Sequence, residues 1–421
     1  MIMTKLNLQI IRLLGERLPA PNERRIVLLT GARQTGKTTL ARSKYPDLNY
    51  VNLDAPENQA FVRSVRTTAW AQAVGNAVLD EAQKAPVVFD KVKFNFDEGH
   101  IRFTLLLGSL QILLLKKIRE TLAGRAFVYE LFPLMLSEIV AGSRPPSKPL
   151  IAQLLESDDP PKLLESQPER RLPQQEEPAL SGMAYMLDWG GMPALLAYTD
   201  EVRREWLRSY GYTYLERDLG DLARLNDLEP FRQLQRLAAL RSGQLLSFSE
   251  LARDGAISTA TTRRYLRYLE LSYQTFLLPP YRRNLTSSVV KAPKLYWMDI
   301  GILRQLQANW GMATGALFET FVVSEIYKYL RTTGLDVRPY FYRTRSGMEV
   351  DLLLETPRGF LGIEIKSAKQ LGSRDWRGLR DLAGALGERW LAGLLVTAGL
   401  EMASLDRERR IWSMPAHRLL T

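Results

Sequence analysis

An α/β fold class follows from three features of this sequence. Through roughly the first 130 residues, strand-length apolar runs alternate with helix-length segments. The first of those runs, Arg25–Thr30, ends in the glycine-rich octapeptide Gly31–Thr38. After about residue 182 the pattern turns helical, and after Lys291 it turns again, to short strands around one long helix. Strands that alternate with helices specify a parallel sheet with crossover connections. The expected order is a parallel-sheet domain built on a phosphate loop (residues 1–142), a linker or insertion (143–181), a helical and winged-helix segment (182–304), and a small α/β domain (305–421).

The elements can be justified in turn. TKLNLQIIRLLGERL reads as an amphipathic helix rather than a signal peptide. RIVLLT is a buried strand entering the glycine-rich turn, and Lys37–Lys44 is the helix that follows. Further strands are expected at Asn49–Leu53, at Ala77–Leu79 ending on Asp80-Glu81, at Ile101–Leu107 and at Ala126–Leu131, with a helix over Leu110–Leu122. Residues 143–181 are rich in Pro, Glu, Gln and Ser and read as a linker or mobile insertion.

Composition limits the chemistry. The 421 residues carry 57 Lys and Arg against 46 Asp and Glu, a formal charge of +11. That excess favours polyanionic partners, chiefly DNA, through phosphate neutralisation. There is no cysteine, and His100 and His417 are the two histidines. Disulfides, thiol nucleophiles and Cys/His zinc clusters are excluded, so any metal is held by carboxylates and phosphates, as Mg²⁺ or Mn²⁺ is. The longest apolar stretch, near Phe103–Leu115, is too short to span a bilayer and contains Gln111. No membrane partner and a cytoplasmic location are expected.

Gly31–Thr38 (GARQTGKT) fits the phosphate-loop pattern G-x-x-x-x-G-K-[ST]. Its glycines let main-chain N–H groups approach phosphates at the positive end of a helix. ATP is therefore expected against Gly31, Ala32, Arg33, Gln34, Thr35, Gly36, Lys37, Thr38 and Thr39, with Lys37 bridging the β- and γ-phosphates and Thr38 on Mg²⁺. Asp80, at a strand end, suits the water shell of the ion, and Glu81 suits deprotonation of the attacking water. Ser109, after the fourth strand, is expected to sense the γ-phosphate. Arg125 is a candidate for charge stabilisation in cis or in trans.

GARQTGKTTLA, NLDAP, LDEAQKAP, the Gly-Ser after the fourth strand and LAGRAFVYELFPLMLSEI resemble the bacterial and archaeal AAA-type P-loop ATPases fused to a C-terminal domain of unknown function. The resemblance extends over nearly the whole chain. One departure is that Leu110 stands directly after Gly108-Ser109 and Gln111 only second, which makes Ser109 the better sensor candidate.

In the middle, a helix over Phe231–Arg241, a short helix over Ser249–Arg253, a turn at Gly255–Ile257 and a helix capped by Ser258 and running to Leu271 make a helix–turn–helix. Leu251, Ala252, Ile257, Tyr265, Leu266 and Leu269 form its expected core, with Thr259, Thr262, Arg263, Arg264 and Arg267 on the open face. YQTFLLPPYRRN is expected to supply a strand pair as a wing, with Arg282 and Arg283 on DNA backbone.

Towards the C-terminus the order is a helix carrying Glu319, a strand carrying Asp351, a turn, and a strand carrying Glu364 and Lys366. Alternation in IEIK puts Glu364 and Lys366 on one face. Carboxylates meeting there suit Mg²⁺, with Asp351 and Glu364 as ligands and Lys366 beside the phosphate. This arrangement is similar to the restriction-endonuclease-like fold with its PD-(D/E)xK signature, here with Val350-Asp351 in place of Pro-Asp. The resemblance implies catalytic roles for Glu319, Asp351, Glu364 and Lys366, with Glu349 as an auxiliary acid.

Two functions are compatible with these features. One is an ATP hydrolase coupled to DNA binding or processing by a nuclease-like C-terminal domain. The other is a nucleotide-switched DNA- or protein-binding regulator with an inert nuclease fold. A protein partner and a homo-oligomer fit either.

Overall fold

The computed structural model describes residues 10–108, 122–223, 228–281, 292–344, 347–368 and 371–421, with the backbone alone for 212–223. Ser109, Gln111, residues 110–121 of the expected helix Leu110–Leu122, and Arg282 and Arg283 lie outside the described residues.

Five parallel strands form the N-terminal sheet: β1 (Arg25–Thr30), β2 (Asn49–Asn52), β3 (Ala77–Asp80), β4 (Phe103–Gly108) and β5 (Ala126–Glu130), in the order β2-β3-β4-β1-β5. β1 reads as an uninterrupted apolar run because both its faces are covered. Ile26 and Leu28 pack into one layer with Trp70, Phe89 and Leu106, while Val27 and Leu29 pack into the other with Leu14, Tyr45 and Phe103. Each such side chain contributes about 1.5–3 kcal/mol by leaving water. The expected N-terminal helix is, among the described residues, a single turn at Leu14–Arg17.

Residues 143–181 are not a linker. They form helices over Leu150–Glu156 and Pro160–Glu165 and the start of a helix over Pro173–Trp189, and Leu150, Ile151, Leu154, Leu155 and Leu164 are buried. The prolines mark helix starts rather than extended chain. Pro149 caps the first helix, and Pro160 and Pro173 occupy first-turn positions where no N–H is needed.

The middle region has helices over Asp200–Ala223, Glu229–Ala239, Phe248–Asp254 and Thr259–Leu271, and Ser258 accepts from Thr261 N at 3.1 Å as its cap. Thr259, Arg263, Arg264 and Arg267 are exposed as expected, but Thr262 is buried, its hydroxyl donating to Ser258 O at 3.1 Å. The wing also differs. Strand β7 (Thr275–Leu278) pairs antiparallel with β8 (Lys294–Trp297), a strand beyond the expected 273–284, beside the two-residue β6 (Gln244–Leu245).

The last sheet runs β13-β14-β12-β11-β10-β9, from β9 (Arg338–Arg343), β10 (Glu349–Thr356), β11 (Gly359–Lys366), β12 (Trp390–Thr397), β13 (Ala403–Asp406) and β14 (Ile411–Pro415). The helix Gly315–Thr333 packs against β11 and β8. One hydrophobic core runs from Phe231, Leu251 and Trp297 to Phe318, Leu352, Leu361 and Leu420. Packing therefore does not break at 304–305. No helix among the described residues is long and apolar enough to cross a membrane.

Candidate functional site

The phosphate loop is shaped by its backbone. Gly31 has φ 151°, and a Cβ there would stand 2.1 Å from Leu131 O, so no side chain fits. Gln34 and Gly36 follow with φ 60° and 94°, and Gly36 opens the helix Lys37–Lys44. Lys37 is buried and donates from Nζ to Gly31 O (2.9 Å) and Ala32 O (2.7 Å), which holds the ammonium across the loop. The Thr35 hydroxyl closes the loop on Ala32 O at 2.9 Å. Thr39 and Gln34 are exposed, and Arg33 is partly buried.

Asp80 ends β3, and β4 lies between it and β1. Thr38 Oγ1 nevertheless reaches it, donating to Asp80 Oδ2 at 2.6 Å. Tyr50 OH donates to the same oxygen at 2.7 Å, and Glu81 N donates to Oδ1 at 2.9 Å. Burial, then the hydrogen bond to Asp80, raises the Tyr50 pKa, so its hydroxyl stays a donor. Glu81 sits at φ 53° and accepts from Gln83 Nε2 through Oε2. A hydroxyl and a carboxylate within hydrogen-bond reach are hard oxygen donors of the kind Mg²⁺ takes, so these residues fit the ion.

Other groups around this loop carried no local sequence signal. Arg12 is buried and donates to Thr35 O (2.7 Å), Phe132 O (2.6 Å) and Glu138 Oε1 (3.2 Å), fastening the loop to the chain leaving β5. Thr30, the residue before Gly31, shares a 2.6 Å hydrogen bond with Tyr273 OH, and Tyr273 OH also donates to Glu130 Oε1 at 3.3 Å. Arg331, near the end of the helix Gly315–Thr333, donates from Nε to Glu130 Oε2 at 2.8 Å.

Arg125, expected to act in cis or in trans, lies at the opposite end of β5 from this chain's phosphate loop. It precedes Ala126, which lies in register with Ile26, whereas the phosphate loop follows Thr30. Four strand residues, about 13 Å, separate the two ends, and Arg125 pairs instead with Asp97 (Nε–Oδ1 2.6 Å).

The C-terminal carboxylates meet in a cleft of about 540 Å³ lined by Lys294, Glu319, Arg343, Glu349, Asp351, Glu364 and Lys366, among others. Asp351 and Glu364 lie on adjacent strands, next to the Leu352–Ile363 register pair. Between Val350 and Leu353 the β9–β10 register shifts by one extra residue, so Val350 and Leu353 both enter the layer with Phe360 and Leu379. Such a bulge re-aims the side chains at its apex, here Asp351 and Leu352. Lys366 Nζ stands 2.7 Å from Glu364 Oε1. Glu364 Oε2 has no hydrogen-bond partner among the described residues. Burial, then Asp351, raises the Glu364 pKa to about 8, and the same two causes raise that of Glu319 to about 7.

At the centre is a residue that the sequence reading did not single out. Lys294, only 3% exposed, places Nζ 2.6 Å from Glu349 Oε1, 3.0 Å from Glu319 Oε1 and 3.2 Å from Asp351 Oδ1. Tyr296 OH donates to Glu319 Oε1 at 2.6 Å, and Ile365 N donates to Asp351 Oδ2 at 2.9 Å. Burial opposes the charge on Lys294, but Asp351, Glu319 and Glu349 outweigh it and raise its pKa. The expected ligation of a metal by Asp351 and Glu364 is therefore corrected for this arrangement. Both Asp351 oxygens are engaged by the chain itself, and among the described residues no group of three or more His, Asp or Glu side chains is set to hold an ion.

Residues 23–140 match the family described as an AAA domain, residues 183–312 a domain of unknown function (DUF8612), and residues 314–418 another domain of unknown function (DUF4143). Uncharacterized proteins of Mycobacterium bovis and Mycobacterium tuberculosis are each 29% identical over 352 residues, covering 81% of this chain and 70% of theirs. Among solved structures, a Walker-type ATPase of Pyrococcus abyssi is similar at 16% identity and TM-score 0.42, over 68% of this chain and 91% of that one. The AMPPCP-bound DnaA from Aquifex aeolicus is similar at 13% identity and TM-score 0.26, over 60% and 83%. The AAA match contains Gly31–Thr38 and Asp80-Glu81, and this part of the chain is a P-loop ATPase domain.

Proposed function

We propose that this chain is a Mg²⁺-dependent ATP hydrolase whose turnover is coupled to DNA through the regions that follow the ATPase domain. The observation that carries the reading is Thr38 Oγ1 at 2.6 Å from Asp80 Oδ2, beside Lys37 and one residue from Glu81. Main-chain N–H groups of the loop take the phosphate oxygens, and the Lys37 ammonium bridges the β- and γ-phosphates. Mg²⁺, held by Thr38 and through water by Asp80, would offset the charge that gathers on the phosphates. Glu81 takes the proton of the attacking water as its oxygen bonds to the γ-phosphorus and the bond to the β-phosphate oxygen breaks.

The test is nucleotide binding beside steady-state hydrolysis. Lys37→Ala is expected to lose binding, since it removes the cation between the phosphates. Glu81→Gln is expected to bind normally and lose about 10²–10⁴-fold in kcat, because an amide cannot take the proton. Normal turnover by Glu81→Gln would remove that residue from the role.

Coupling to DNA is supported by the +11 charge and by the exposed Arg263, Arg264 and Arg267 on one helix. A second reading is favoured by Lys294. With an ammonium among the carboxylates, a nuclease-like cleft is inert as it stands, and the chain works as a nucleotide-switched DNA- or protein-binding regulator.

A further inference from the structure

Lys294 reaches the cleft from outside the C-terminal sheet. It lies on β8, paired with β6 and β7 in the small middle sheet, whereas Glu319 comes from the helix Gly315–Thr333 and Glu349 and Asp351 from β10. A lysine ammonium has three N–H donors and no acceptor. Nζ lies between 2.6 and 3.2 Å from one oxygen of each of three carboxylates, so each donor has its own acceptor. The Phe341 ring lies 5.8 Å from Nζ and adds a cation–π contact. Mg²⁺ needs oxygens at about 2.0–2.1 Å in near-octahedral array, and Nζ stands in the space between the oxygens that would supply them. Independently, Glu364, 8% exposed, lines the cleft with Oε2 free of any hydrogen bond among the described residues. Its other oxygen takes Lys366 Nζ at 2.7 Å, so one acceptor of this carboxylate still faces the cleft unpaired.

We propose that Lys294 is a tethered cation, supplied by the middle region, that holds the divalent-ion position of the C-terminal cleft and keeps the cleft metal-free while β8 is in place. The carboxylates keep their capacity for a hard cation and express it only when the ammonium leaves. This inference does not depend on the ATPase reading, because it concerns a site at the other end of the helix Gly315–Thr333.

The experiment titrates Mn²⁺ into the full-length, nucleotide-free chain and follows free Mn²⁺ by electron paramagnetic resonance. An Asp80→Asn background removes any contribution from the phosphate loop. The chain with Lys294 is expected to show no Mn²⁺ site that depends on Asp351. Lys294→Met is expected to gain one site, at least about tenfold tighter than any binding by the parent, since a hard cation follows ligand charge, and to lose it again with Asp351→Asn. Should uncompensated carboxylates prevent folding of the single variant, Lys294→Met combined with Glu349→Gln leaves Glu319 and Asp351 with less repulsion and carries the same expectation. A parent site abolished by Asp351→Asn would overturn the proposal. So would a folded variant without Lys294 that gains no site.

Discussion

Glu81 is held where a side chain other than glycine rarely rests. Its φ of 53° is left-handed, which costs on the order of 1 kcal/mol, and such strain gathers at working sites. Gln83 Nε2 donates to its Oε2 and fixes where the carboxylate points. Gln83→Ala is therefore expected to lower kcat for ATP about tenfold while leaving KM nearly unchanged, since positioning of a general base is felt in the chemical step. A raised KM with unchanged kcat would assign Gln83 to nucleotide binding instead. At this scale the shape of the phosphate loop was legible, because its residues are contiguous. Lys294 was not, because its partners lie 25, 55 and 57 residues away. A signal did exist. All four residues of β8 are buried, and a lysine inside a buried strand requires a counter-charge.

The elements were legible wherever periodicity decided them and misread wherever position did. Strands β1, β3 and β5 fall close to where their apolar runs predict. The helices over 150–181 were missed because Pro counts as a breaker by composition and as a starter by location. The bulge at Asp351-Leu352 breaks the two-residue alternation and is set by pairing with β9, which no single strand reveals. Junctions between elements are equally silent in the sequence. Gly191 N donates to Asp299 Oδ2 at 2.8 Å and Gly191 O accepts from Leu134 N at 2.7 Å, tying the exit of the ATPase sheet to the cap of the helix Ile300–Gln307. A Cβ on Gly191 would stand 2.2 Å from Leu134 O, which is main chain and cannot step aside. Gly191→Ala is expected to destabilise the fold by about 1–3 kcal/mol, read as a lower denaturant midpoint, and an unchanged midpoint would mean that the junction is slack.

For the whole molecule, the family matches divide the chain near residues 140–183 and 312–314, yet the core does not follow them. The middle and C-terminal regions share their apolar interior, so a fragment starting at 305 would expose faces that Trp297, Ile300 and Leu303 cover. Binding to duplex DNA is expected to weaken steeply with salt, since each phosphate contact releases counterions. Replacing Arg263, Arg264 and Arg267 by Glu is expected to weaken it at every salt concentration and to flatten the slope. The fold is expected to persist, since all three are exposed. Equal affinity in the triple variant would make this helix a protein-docking face.

The helix Gly315–Thr333 places Glu319 in the carboxylate cleft and Arg331 on Glu130, which lies in register with the residue before the phosphate loop. Twelve residues of helix put those two side chains about 18 Å apart on one stiff rod. Thermodynamic reciprocity then makes the nucleotide a reporter for whatever the far end holds. If ATP alters the affinity for a short DNA duplex by some factor, the duplex must alter the affinity for ATP by the same factor. We expect a factor of about five or more, falling towards one in Arg331→Ala while both ligands still bind. Equal ATP affinity with and without saturating duplex would reduce the helix to a strut. An unequal one would turn a simple nucleotide titration into a search tool for the DNA that the chain prefers.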